Sequence, residues 1–106
     1  MSHFIIYECV NNLDGRRYIG LTSMDLPRRW QRHQSAAANR FHIALHESGP
    51  QNFTVRELDR AQDWEKASRL EKQLIYRAET RDERFGYNIH AGGKGKGEFD
   101  WLDDLG

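Results

Sequence analysis

The chain has 106 residues, with 16 basic and 16 acidic side chains and no formal net charge. That length suits one compact domain, and 38% hydrophobic with 30% charged residues is the balance of a folded rather than a disordered chain. No apolar run approaches the roughly 20 residues needed to cross a bilayer, and no signal-like leader opens the sequence. The single cysteine, Cys9, cannot form an internal disulfide. A cytoplasmic protein with a buried thiol is therefore expected.

In chain order, "FIIYECV" (residues 4–10) carries apolar residues on both alternating sets and reads as a strand covered on both faces. Asp14-Gly15 signals a turn, and "RRYIGL" (16–21) returns as the second strand of a hairpin. Asp25 then reads as a helix N-cap, with Pro27 tolerated in the first turn, where its missing N–H has no partner to lose. That helix is expected to run to about Ala38. A short helix, "FHIALHES", stops at Gly49-Pro50, and "FTVREL" (53–58) is a third strand. A longer helix spans about Asp63 to Glu79. "FGYNI" is extended, and residues 94–106 read as a flexible Gly/Lys segment with an acidic tail. The order ββααβα predicts an α+β domain over residues 1–93, a small, mostly antiparallel three-stranded sheet flanked by helices.

Charge is unevenly spread. Between residues 16 and 40 stand Arg16, Arg17, Arg28, Arg29, Arg32 and Arg40 against one acid, Asp25. The tail "EFDWLDDLG" holds four acids and no base. A basic patch on a neutral chain points to a polyanion such as DNA, although a solvated basic face gives the same pattern.

Two helices carry polar residues where apolar ones belong. Stepped at about 100° per residue, Glu71 falls in the middle of the stripe formed by Trp64, Ala67, Leu74, Ile75 and Ala78. A carboxylate there needs a partner: an arginine, a tyrosine hydroxyl or a metal ion. In the first helix, Leu26, Trp30 and Ala37 make the apolar line. Arg29 and His33, four apart, lie side by side along its flank. Tyr7 and Tyr18 sit on the two hairpin strands. Gly20 leaves a gap beside Tyr18 that admits a ligand or a crossing helix. His42 and His46 have the i, i+4 spacing of a zinc pair but lack a third ligand, and "GGKGKG" lacks the spacing of a phosphate loop.

Taken together, "IIY" (5–7), "YIG" (18–20) ten residues on, "DLPRRWQRH", "LEKQLI" and "GYNI" resemble the motifs of the GIY-YIG endonucleases. The segment "RFHIALHESGPQNFTVREL" is similar to phage homing members. The resemblance covers about residues 3–93, and one position departs: Ile5 stands where the signature has its first glycine. It implies a nuclease that hydrolyses DNA phosphodiesters with Mg²⁺ or Mn²⁺. Glu71 would hold the metal, Arg29 the scissile phosphate, and Tyr7 or Tyr18 would take the proton of the attacking water. For Tyr7 to do so near neutral pH, neighbouring positive charge must lower its pKa. His33 would relay that proton or hold a tyrosine. Asn88 would position metal, water or phosphate, and His42 would touch substrate. With no recognition module visible, target choice would come from loops, a homodimer or a protein partner. The same fold without turnover would be a nucleic-acid-binding module or a nuclease subunit.

Overall fold

The computed structural model describes residues 4–37 and 39–89. The Gly/Lys segment and acidic tail lie outside those residues. Strand β1 (Phe4–Asn11) is central, with β2 (Arg17–Thr22) on one side and β3 (Phe53–Ala61) on the other, all antiparallel. Helices α1 (Leu26–Ser35), α2 (Arg40–Ser48) and α3 (Trp64–Ala78) complete the expected order.

The turns follow from local chemistry. Gly15 adopts φ +79° between β1 and β2, and its N–H closes on the Asn11 carbonyl at 2.7 Å. Asp25, Asn39 and Asp63 each cap a helix by accepting a backbone N–H three residues on. Helix α1 stops at Ser35, three residues before the expected end. His46 Nε2 donates to the freed Ala36 carbonyl at 2.9 Å, and Asn39 must stay extended to cap α2. Helix propensity in the alanine run yields to those two contacts. Strand β3 runs to Ala61, three residues beyond the expected end. A bulge between Ile6 and Tyr7 lets it stay paired with β1 over its whole length.

Two apolar layers sandwich the sheet. Ile5, Tyr7, Cys9, Phe41, Leu45, Phe53 and Tyr87 pack on the α1/α2 side. Ile6, Ile19, Leu21, Ala61, Ala67 and Ile75 pack on the α3 side. The two-sided reading of β1 thus holds, and Ile5 is an ordinary core residue where the signature has glycine. On the α3 side, Glu8 is buried between Arg56 (2.7 Å) and Arg17 (3.5 Å), an ion cluster the sequence pattern did not reveal.

Residues 80–88 close the fold as a strap along the free edge of β2. Arg17 N–H donates to the Phe85 carbonyl and Tyr87 N–H to the Arg17 carbonyl. Gly86 permits this approach, since a Cβ there would strike the Arg17 carbonyl and Thr80.

Candidate active site

The hairpin register sets the site. Tyr7 faces Gly20 and Cys9 faces Tyr18 across β1 and β2, so both tyrosines point to the α1/α2 side. A Cβ on Gly20 would overlap the Tyr7 ring and hydroxyl. The gap left by Gly20 is therefore filled by the cross-strand tyrosine, not by a ligand or a helix. Tyr18 lies flat on Phe41, with ring centroids 4.4 Å apart, and His33 meets both rings edge-on.

Helix α1 turns a different face inward from the one its apolar line suggested. Arg29 and His33 are its buried residues, at 6% and 1% exposure, while Ala37 is exposed. The interior accepts them because it offers polar partners. Arg29 Nε donates to Tyr7 Oη at 3.2 Å. Tyr7 Oη and His33 Nε2 are 2.6 Å apart, and His33 Nδ1 and His42 Nε2 are 3.0 Å apart. Four side chains from β1, α1 and α2 thus form one buried polar line.

Burial decides their protonation. It pushes the Tyr7 phenol well above its ordinary pKa of 10.0, and the opposing pull of Arg29 is weaker. This corrects the expectation that positive charge lowers it: the resting residue is a neutral phenol. Burial, then the charge of Arg29, then His42 hold His33 down to about 2, so its imidazole is neutral.

Glu71 is buried on the inward face of α3 with Ala67, Ser68 and Ile75, as the helical pattern required. The Ser68 hydroxyl, one turn earlier, is buried with no hydrogen-bond partner among the described residues. Among the described residues, no three His, Cys, Asp or Glu side chains converge in the manner of a multi-ligand metal cage.

With this geometry in view, the family model for the GIY-YIG catalytic domain matches residues 3–88. The chain belongs to the GIY-YIG family. It is an endonuclease domain of that family. The fold is similar to that of the catalytic domain of the intron endonuclease I-TevI, in a mutant form. The TM-score is 0.69 at 20% identity, covering 88% of this chain and 99% of that one. No curated protein sequence matches the chain. Among the described residues, no helix is long and apolar enough to cross a membrane.

Tyr7, Tyr18, Arg29 and His33, expected from the resemblance to act together, come together on one side of the sheet. Asn88 stands at the edge of β2: its amide donates to the Ile19 carbonyl (2.8 Å) and accepts from the Ile19 N–H (2.9 Å). Its side chain is thus a strand-like partner for β2 rather than an open ligand.

The residues expected on DNA divide. Arg28 is exposed, and its side chain has no partner among the described residues. Arg28 and the half-buried Arg32 line a shallow groove with Met24, Gln31 and Ser35. Arg16 is exposed beside Asp14, and Arg17 leans on Glu8.

Two of the expectations need correction. Arg40 spends its guanidinium on the carbonyls of Arg81, Tyr87 and Asn88 and on Glu83. His42 is 1% exposed and faces His33, so it touches no DNA in this arrangement. A helix read from Arg40 rather than from Phe41 would have put this cation in the first turn, where the dipole disfavours it.

Proposed function

We propose that this domain is a divalent-metal-dependent DNA endonuclease or nickase in which Tyr7 and His33 together accept the proton of the attacking water. The carrying observation is the Arg29–Tyr7–His33 line. Its middle oxygen is a phenol too basic to ionise alone, yet it lies 2.6 Å from a neutral imidazole nitrogen. As water and the phosphate anion enter, the phenol proton passes to His33 Nε2 while Oη takes the water proton. The anion offsets the burial and the Arg29 charge that otherwise keep His33 neutral. No free phenolate has to form first. Arg29 suits the scissile phosphate, because its planar fork matches phosphate oxygens. The 3.2 Å contact to Tyr7 loosens as Arg29 turns to that anion, which opens Oη to water. Tyr18 holds the wall of the site through its stack on Phe41. Asn88 keeps β2, and so Tyr18 and Gly20, in register.

The metal assignment rests on the chemistry of the donors. Nucleases of this family generally depend on a divalent metal. One buried carboxylate with a hydroxyl a turn away suits Mg²⁺ or Mn²⁺, which keep several waters and share substrate phosphate oxygens. Glu71 would hold such an ion, which when bound stabilises negative charge on the phosphate and the leaving oxygen. Arg16, Arg28 and Arg32 supply the surface charge that meets neighbouring phosphates.

The test is a supercoiled-plasmid assay with Mg²⁺, Mn²⁺ or EDTA on the wild type, Arg29→Ala, Glu71→Ala and Tyr7→Phe. Metal-dependent nicking or linearisation that is lost in all three variants is expected. No cleavage with any metal, with DNA binding intact in a salt titration, would favour a non-catalytic binding module or a subunit that needs a protein partner.

A further inference from the structure

The polar line at the site has only one consistent direction, and its far end is a residue that the reaction has not yet used. Arg29 Nε–H can only donate, so Tyr7 Oη accepts there. A neutral phenol has one proton. If His33 Nε2 donated to Tyr7, that proton would need another acceptor, and Tyr7 has no further hydrogen-bond partner among the described residues. Tyr7 therefore donates to His33 Nε2. Since His33 is neutral, its proton sits on Nδ1 and points at His42 Nε2, 3.0 Å away. His42 must then present an unprotonated Nε2. It is buried at 1% exposure on α2, between Asn39, whose side chain caps its own backbone N–H, and the Phe41 ring.

From this geometry we infer that His42 is a positioning residue: it accepts from His33 Nδ1–H and so fixes the tautomer whose Nε2 is open to the Tyr7 proton. The arrangement has the logic of nucleophile-activating lines elsewhere, in which a third group orients the base and settles where its proton rests. Without an acceptor at this point, His33 is free to move its proton to Nε2. That nitrogen would then oppose the Tyr7 hydroxyl with a donor, and the phenol could not release its proton toward it. The inference deepens the reading of Tyr7 and His33 given above and rests on it for its catalytic meaning. The tautomer itself is a property of the folded chain without DNA.

The experiment is long-range ¹H–¹⁵N NMR of the imidazole rings in the full chain at neutral pH, followed by the same spectra for His42→Gln and His42→Phe. Wild-type His33 should show a protonated Nδ1 and a bare Nε2. His42→Gln, whose side-chain oxygen can accept at a similar reach, should keep that pattern, and His42→Phe should lose it. In single-turnover cleavage, His42→Phe should lose at least about tenfold in rate, as for a misprotonated general base. His42→Gln should recover most of that loss. The salt dependence of DNA binding should be the same in both variants, because no phosphate contact is removed. A wild-type His33 protonated on Nε2 overturns the inference even if neither variant folds. So does a His42→Phe enzyme that cleaves at the wild-type rate. Correct tautomers in a protein that never cleaves would leave the inference standing and sink the nuclease mechanism instead.

Discussion

Arg29 and His33 are residue types that usually face water, yet here they are inside. Their burial is tolerable only because each has a partner of fixed geometry, and for His33 it has a consequence in pH. The folded-state pKa of His33 is held at about 2, against an ordinary 6.5 in the unfolded chain. Below pH 6.5 the unfolded chain takes up a proton that the folded one refuses, so stability falls as pH falls through that range. Between pH 7 and pH 5 one such group removes about 2 kcal/mol, an order-of-magnitude figure from the linkage relation. Urea unfolding at the two pH values should show that decline in the wild type and a flatter dependence in His33→Gln. Equal slopes would mean that His33 is protonated in the fold. At this scale the sequence showed Arg29 and His33 as neighbours and Glu71 as an anomaly, because helical periodicity is local. It did not show that Arg29 and His33, rather than Leu26 and Trp30, form the innermost line of α1. That depends on Tyr7, which reaches the helix from a distant strand.

At the scale of elements, α2 and the strap at residues 80–88 explain why two residues expected on DNA are engaged within the fold, His42 buried and Arg40 only partly so. Arg40 grips the strap through three backbone carbonyls, the shortest being that of Asn88 at 2.6 Å. Asn88 in turn completes the edge of β2 at Ile19. The clamp therefore supports the strand that carries Tyr18 and Gly20. Losing a charged donor to partly buried acceptors costs roughly 1.5–3 kcal/mol. Arg40→Gln should accordingly lower the urea midpoint while leaving the log–log salt slope of DNA binding unchanged. Arg28→Gln should do the reverse: stability close to wild type, and a slope shallower by about one phosphate contact. A shallower slope for Arg40→Gln would return that residue to the DNA-facing set. Strand and helix order were legible in advance because each element has its own period and caps. The ends of α1 and β3 were not, since His46 and the β1 bulge set them through contacts between elements.

On the scale of the whole molecule, the described residues hold one Tyr7–Arg29–His33 line and one buried helical carboxylate, Glu71, on α3. The line lies on the α1/α2 side of the sheet, whereas α3 packs on the opposite side, against β1, β2 and β3. Strand β2 belongs to both sides: Tyr18 and Gly20 face the tyrosine–histidine line, and Ile19 and Leu21 face α3. Its register thus sets the placement of side chains on both faces, and the strap and the Arg40 clamp hold it from its free edge. One set of groups can act on one phosphodiester at a time. A monomer should therefore convert supercoiled plasmid to the nicked form first, with linear product appearing later and the ratio of the two independent of enzyme concentration at equal turnover. Two copies acting together would give linear product early, in a fraction that rises with concentration. Following both products on a gel over a tenfold range of enzyme separates the cases. Early linear DNA at the lowest concentration would mean that the chain brings a second copy to the opposite strand.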